Sequence, residues 1–96
     1  MQTDHLILIE HIVTSHSIES DFIDSLQDFG LIEIVVIEDN KYLAHEQLKD
    51  MEKLIRLHYE LGINLEGIDA ITHLQKRIDD LQAALNETRN RLRLFE

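Results

Sequence analysis

From Ile71 onward apolar side chains recur at alternating gaps of three and four: Ile71, Leu74, Ile78, Leu81, Leu85, Leu92 and Phe95, with Thr88 in the one polar place. This spacing is a heptad seam, the pattern by which one helix packs along another. The stretch from Asn64 to Glu96 contains no proline and, after Gly67, no glycine, so nothing interrupts the helix. About thirty residues at 1.5 Å each make a rod roughly 45 Å long. The preceding residues, 1–63, can form a head only about 25 Å across. Such a head cannot cover the whole seam. A second copy of the chain is the simplest cover, and Ile78, Leu81, Leu85, Leu92 and Phe95 are expected to form the contact of a homodimer.

The expected organisation is therefore a head over residues 1–63 and a long helix over residues 64–96, with the first turns of that helix, Leu65 to Leu74, packed on the head. The free seam then runs from Ile78 to Phe95. A head of roughly 60 residues is marginal by itself, and covering the seam would support it. The chain has no cysteine, which excludes disulfides, thiolate metal sites and a cysteine nucleophile. The apolar run Leu6–Ile9 is too short for a signal peptide and lacks a basic flank. No segment is long enough to span a bilayer, and the expected location is the cytoplasm.

Charge is distributed unevenly. Residues 1–40 contain Asp4, Glu10, Glu19, Asp21, Asp24, Asp28, Glu33, Glu38 and Asp39, and no lysine or arginine before Lys41. That portion carries −9 of the net −10; the remainder carries nine cations against ten acids. Phosphate binding needs Lys or Arg to displace counterions. The N-terminal portion should repel nucleic acid and attract a basic protein surface.

In chain order, His5–Leu8 reads as a short strand or extended lead-in, and Glu10–His16 as a helix of at most two turns, with Ile12 and Val13 inward. Ser17 and Ile18 make a turn. A second helix runs from Glu19 or Ser20 to Phe29, with Gly30 as its left-handed cap. Phe22, Ile23, Leu26 and Phe29 share one face of it, while Asp21, Asp24 and Asp28 lie opposite. The β-branched run Leu31–Ile37 reads as a strand, and Lys41–Leu43 is expected to pair back across a turn at Glu38–Asn40. A third helix, His45–Leu61, turns Leu48, Met51, Leu54, Ile55, His58 and Leu61 inward and ends at Gly62. Asn64 caps the long helix, and Ile63 and Leu65 pin the elbow.

Two short helices, a hairpin and a helix pair follow the order of a winged helix-turn-helix unit. The run Lys41-Tyr42-Leu43, followed by Leu54-Ile55-Arg56-Leu57-His58-Tyr59-Glu60-Leu61-Gly62-Ile63-Asn64-Leu65-Glu66-Gly67-Ile68-Asp69-Ala70-Ile71, resembles the second helical pair of MerR-type domains. The resemblance continues into a coiled-coil helix and covers nearly the whole chain. It implies a mainly α fold: a MerR-like winged helix-turn-helix head with a small β-hairpin and a long C-terminal coiled-coil helix. The acidic N-terminal portion resembles the CbpM-type chaperone modulators, whose members bind and inhibit a DnaJ-like co-chaperone, CbpA. Two departures from DNA-binding relatives stand out. The would-be recognition helix has no Arg or Lys, and Ala44 stands where Ser or Thr usually caps the third helix.

The candidate partner-binding residues are Glu19, Asp21, Asp24 and Asp28. Asp24 and Asp28 repel at i,i+4, and Asp28 sits where the helix dipole disfavours an anion. Such local conflicts tend to mark functional surfaces, although a solvated, solubilising face has the same composition. The resemblance implies a J-domain partner with a basic helix; assigning the contact to these four residues follows from their charge alone.

The six histidines show no ligand spacing, and His58 is expected to pack on the core through its ring. General acid–base catalysis by the carboxylates Glu46 and Asp50 would need a cleft that tunes them, which nothing in the sequence suggests, and no glycine loop cradles phosphate. No enzyme activity and no cofactor are expected. Arg89, Arg91 and Arg93 suit the end of a helix better than a nucleic-acid patch. A MerR-like transcription regulator binding DNA through its helix-turn-helix is the alternative function, and a plain oligomerisation module a blander one. Dimer orientation stays open: a parallel pair sets Arg91 opposite Glu96 of the other copy, whereas antiparallel pairs are usual among MerR relatives.

Overall fold

A computed structural model of the chain describes residues 5–95. The elements follow as β1 (Leu6–Leu8), α1 (Ile9–His16), α2 (Ser20–Asp28), β2 (Ile34–Ile37), β3 (Asn40–Ala44), α3 (Leu48–Ile55) and α4 (Leu65–Arg93). A 3-10 turn, His45–Gln47, leads into α3, and a π-helical turn, Arg56–Glu60, leaves it. The result is the mainly helical, winged helix-like fold that the element order implies, with α4 projecting from the head. The long axis measures 58 Å.

The two short helices end in the same way. After α1, the Ile18 N–H reaches the Val13 carbonyl at 3.1 Å around Ser17, which is left-handed at φ 53°. After α2, the Leu31 N–H reaches the Leu26 carbonyl and the Gly30 N–H reaches that of Gln27, both at 2.9 Å. These are Schellman closures. Gly30, at φ 74°, holds the position where a Cβ would be strained. Phe29, expected inward, is 40% exposed because α2 closes one residue before it.

The sheet is antiparallel in the order β1-β3-β2. Ile37 pairs with Asn40, so Glu38 and Asp39 are a two-residue hairpin turn with φ 49° and 67°. Both positive angles are what a type I′ turn demands. The expected strand over Leu31–Ile37 is shorter than its composition suggested: Leu31–Glu33 stays outside the sheet and bends so that Ile32 is buried in the core. The lead-in at residues 6–8 becomes a third strand, with Leu6 opposite Ala44 and Leu8 opposite Tyr42.

Leu26, Leu43, Met51 and Ile68 are fully buried and tie α2, the sheet, α3 and α4 into one core. Leu61, expected on the inner face of the third helix, is 67% exposed. The π-turn explains this. The Leu61 N–H reaches back five residues to Arg56 and the Ile63 N–H six to Leu57, and the added residue rotates Leu61 off the apolar stripe. The chain turns at Gly62, and Asn64 caps α4 as its side chain accepts from the Gly67 N–H at 2.8 Å. A Cβ on Gly67 would lie 2.7 Å from Ile63 Cγ2; glycine here permits the close elbow.

Only the first two turns of α4 join the head. Ile68 is buried and Leu65 and Ile71 are half-buried, but Leu74 is 58% exposed. The free seam therefore begins at Leu74, a turn earlier than expected, and Ile78, Leu81, Leu85, Leu92 and Phe95 are all exposed. Glu96, on which the parallel pairing with Arg91 depends, lies outside the described residues. Among these, no helix is long and apolar enough to cross a membrane.

Candidate protein-binding surface

The amphipathic pattern of α2 translates into geometry directly. Phe22, Ile23 and Leu26 are buried, so Asp21, Asp24 and Asp28 must face outward, and Glu19 precedes the helix in extended backbone. All four are exposed. They do not form one patch. Asp24 borders a groove of about 500 Å³ between α1, α2 and the hairpin turn, with Leu8, Ile9 and Val13 as its apolar lining. Glu19 and Asp21 line a smaller depression of about 160 Å³ with Phe22, His58 and Tyr59. Asp28 borders neither.

The groove gathers two acids that charge counting on α2 alone had not singled out, Glu10 from α1 and Asp39 from the hairpin turn. With Asp24 they give three carboxylates around an apolar lining, and one cation. That cation, Lys41, sits with its Nζ 3.6 Å from Asp24 Oδ1, both side chains about half exposed. An exposed pair of this length contributes at most about 1 kcal/mol, so an incoming cation can displace Lys41 at little cost. No local signal marked Asp39 for this groove: it lines it because the hairpin turn packs beside α1 and α2.

The second depression rests on an aromatic cluster. His58 stacks on Phe22 with ring centroids 4.6 Å apart and an 18° interplanar angle, and Tyr59 meets Phe22 edge-on at 5.3 Å. The ring of His58 thus packs as expected, and its Nδ1–H donates to the Ile63 carbonyl at 2.9 Å. Tyr59 Oη accepts from the Glu19 N–H at 3.1 Å, satisfying a backbone donor next to the start of α2. The π-turn presents both rings to α2 at once. Sequence periodicity missed it, since nothing in the run Arg56–Glu60 departs from an ordinary helical composition.

In a helix-turn-helix protein the second helix and the hairpin turn are the elements offered to DNA. Here α2 carries three aspartates and no cation, and the turn consists of Glu38 and Asp39. Glu38 holds a left-handed backbone that costs a non-glycine residue on the order of 1–2 kcal/mol. The surface is anionic where phosphate contacts would require cations. Among the described residues no three His, Asp or Glu side chains converge to hold a metal ion.

Residues 7–90 match the family model described as MerR HTH family regulatory protein. No curated protein and no solved structure gives a significant match.

Proposed function

The chain belongs to the MerR HTH family of regulatory proteins, and on that premise we propose that it regulates by binding a protein and is not an enzyme. Its acidic head takes the basic face of the J-domain of a DnaJ-like co-chaperone and withholds that face from a DnaK-type chaperone, in the cytoplasm. One observation carries this reading: the elements a helix-turn-helix protein would present to DNA bear Asp21, Asp24, Asp28, Glu38 and Asp39 and no cation. The elbow Leu61-Gly62-Ile63-Asn64-Leu65-Glu66-Gly67-Ile68 is shared with the MerR family at large, and the acidic N-terminal portion is what supports the CbpM-type branch within it.

The chemistry follows from the groove. A basic helix would set Lys or Arg against Glu10, Asp24 and Asp39, displacing Lys41, and lay its apolar side on Leu8, Ile9 and Val13. Long-range attraction would make association fast and salt-sensitive, while the apolar contact holds the complex. The seam of α4 makes the regulator a homodimer, so each assembly carries two heads. Titrating fluorescently labelled protein with a purified J-domain tests the proposal; no binding at micromolar concentration and low salt contradicts it.

Family membership itself favours a second reading, a transcription regulator that binds DNA through its helix-turn-helix. A gel shift discriminates the two. Tight, sequence-selective retention of duplex DNA by this protein alone supports the second reading and overturns the first.

A further inference from the structure

β2 lies at the outer edge of the sheet, with β3 as its one neighbour among the described residues. The hairpin fixes which of its backbone groups are already bonded. A two-residue turn closes on bonds exchanged between its flanking residues, here Ile37 and Asn40. Bonded pairs then recur at every second place, next at Val35 and Tyr42. Glu33 keeps the same phase: its N–H donates to Gln47 Oε1 at 3.1 Å, where β3 has given way to the 3-10 turn. The N–H and C=O groups of Ile34 and Val36 therefore point away from β3, to the open side.

An edge of this kind is normally blunted by a lysine, a proline or a bulge. β2 has none of these: it reads Ile34-Val35-Val36-Ile37 in unbroken register, and Val36 is 61% exposed. The other edge strand, β1, has three residues and runs straight into α1. The alternation expected of a sheet with one wet face is also missing. Ile7, Leu43 and Ile34 pair across the three strands on the core face, and Leu8, Tyr42 and Val35 pair across them on the opposite face. Apolar side chains thus reach the edge on both faces, as they do in a strand with neighbours on both sides.

We propose that β2 takes a fourth strand from another protein, an extended apolar segment with a lysine or arginine at each end. Main-chain bonds to Ile34 and Val36 hold the segment, and its alternate side chains extend the Leu8–Tyr42–Val35 row and cover Val36. No residue of β2 lines the groove assigned above to the J-domain. The edge goes beyond that reading and stands or falls without it.

Charge chooses this occupant over a second copy of the chain. The strand is bracketed by acids, Glu33 before it and Glu38 and Asp39 after it, all exposed. Two copies of β2 paired antiparallel about a two-fold axis would bring the Glu33 end of one to the Glu38–Asp39 end of the other. Like charges would then meet at both ends. A segment with basic ends meets opposite charge at both. Lys41, opposite Val36, has its Nζ 3.6 Å from Asp24 Oδ1 and leaves that balance acidic. Gln47 at one end and the two-residue turn at the other fix β2 beforehand, so binding has little order to impose on it.

The probe is a short synthetic peptide in which lysines flank alternating valine and threonine, added to the full, isotope-labelled chain. Backbone amide spectra and hydrogen exchange are recorded at low salt. The proposal expects the Ile34 and Val36 amides to shift and to gain protection from exchange at millimolar peptide. Glutamates in place of the flanking lysines should weaken binding at least about tenfold, and N-methylation of the peptide's backbone amides should abolish it. Val36→Pro removes an outward N–H and no bond to β3, so it should keep the helical circular-dichroism spectrum and lose the peptide. The N-methylated peptide makes the same test on the unmodified chain, whether or not that variant folds. Unmoved Ile34 and Val36 amides, or equal binding of the acidic-ended or N-methylated peptide, would overturn the proposal. Shifts confined to Glu10, Asp24 and Asp39 would place the peptide in the groove and overturn it too. Ile34 and Val36 amides already protected in the free chain, with a lower sedimenting mass for Val36→Pro, would give the edge to a second copy and likewise overturn it.

Discussion

The Tyr59 hydroxyl accepts the Glu19 backbone N–H at 3.1 Å, joining the π-turn after α3 to the segment that opens α2. Forty residues of sequence separate the two. The contact fixes the angle at which the acidic helix leaves its turn, and Phe22 packs beneath it against both His58 and Tyr59. Water can replace an exposed acceptor, so Tyr59→Phe should cost less than about 1 kcal/mol. Phe22→Ala removes a buried ring and should cost about 3–5 kcal/mol. Urea denaturation measures both; equal midpoint shifts would contradict this division of labour.

The elbow gives a second prediction, of opposite sign to helix propensity. Alanine for glycine inside a helix ordinarily stabilises by up to about 1 kcal/mol. At residue 67 the new methyl would meet Ile63 Cγ2 at 2.7 Å and Asn64 Oδ1 at 3.1 Å, disturbing both the elbow packing and the cap. Gly67→Ala should therefore lower the melting temperature, and Asn64→Ala should cost about 1 kcal/mol by removing the cap. A rise in melting temperature for Gly67→Ala would contradict the tight elbow.

The hairpin turn gives a third. Glu38 has φ 49°, which glycine tolerates without strain. Glu38→Gly should stabilise the head by about 1 kcal/mol while removing one negative charge from the turn. Thermal melts and partner titrations on the same variant should move in opposite directions, with greater stability and weaker binding. Improvement in both would mean that Glu38 has no part in recognition.

What could be read from the sequence was what local chemistry fixes. Gly30 and Asn64 announced their caps, Glu38–Asn40 the turn (of which Asn40 belongs to β3), and the spacing of Phe22, Ile23 and Leu26 put the aspartates of α2 outside. What could not be read was set by partners distant in sequence or by a change of helical period. His5–Leu8 was legible as a short strand or extended lead-in, but which of the two was decided by β3 beside it, since three residues carry little pattern of their own. The π-turn rotated Leu61 out and delivered His58 and Tyr59 to Phe22. The heptad count likewise did not mark Ile68, which lies off the seam and is buried because the elbow turns that side of α4 to the head. The four predicted site residues lie on or beside α2 as expected, but only Asp24 borders the larger groove. Glu10 and Asp39 join it through tertiary packing.

The seam gives a fourth prediction. Leu81 and Leu85 are exposed in the single chain, so an aspartate at either place would leave the monomer's fold intact and bury an unpaired charge in the dimer. That penalty is several kcal/mol. Leu81→Asp or Leu85→Asp should sediment as a folded monomer with an unchanged helical circular-dichroism spectrum. A wild-type chain already monomeric at high concentration would refute the assembly.

The most direct test of the central claim is the affinity for a J-domain as a function of salt, for the unmodified chain and for a variant combining Glu10→Gln, Asp24→Asn and Asp39→Asn. The account predicts micromolar or tighter binding at low salt that weakens steeply as salt rises. It also predicts that the variant, still folded, binds at least about tenfold more weakly, equivalent to about 1.4 kcal/mol, with a flatter salt dependence. Equal affinity and equal salt dependence for the two proteins would contradict it.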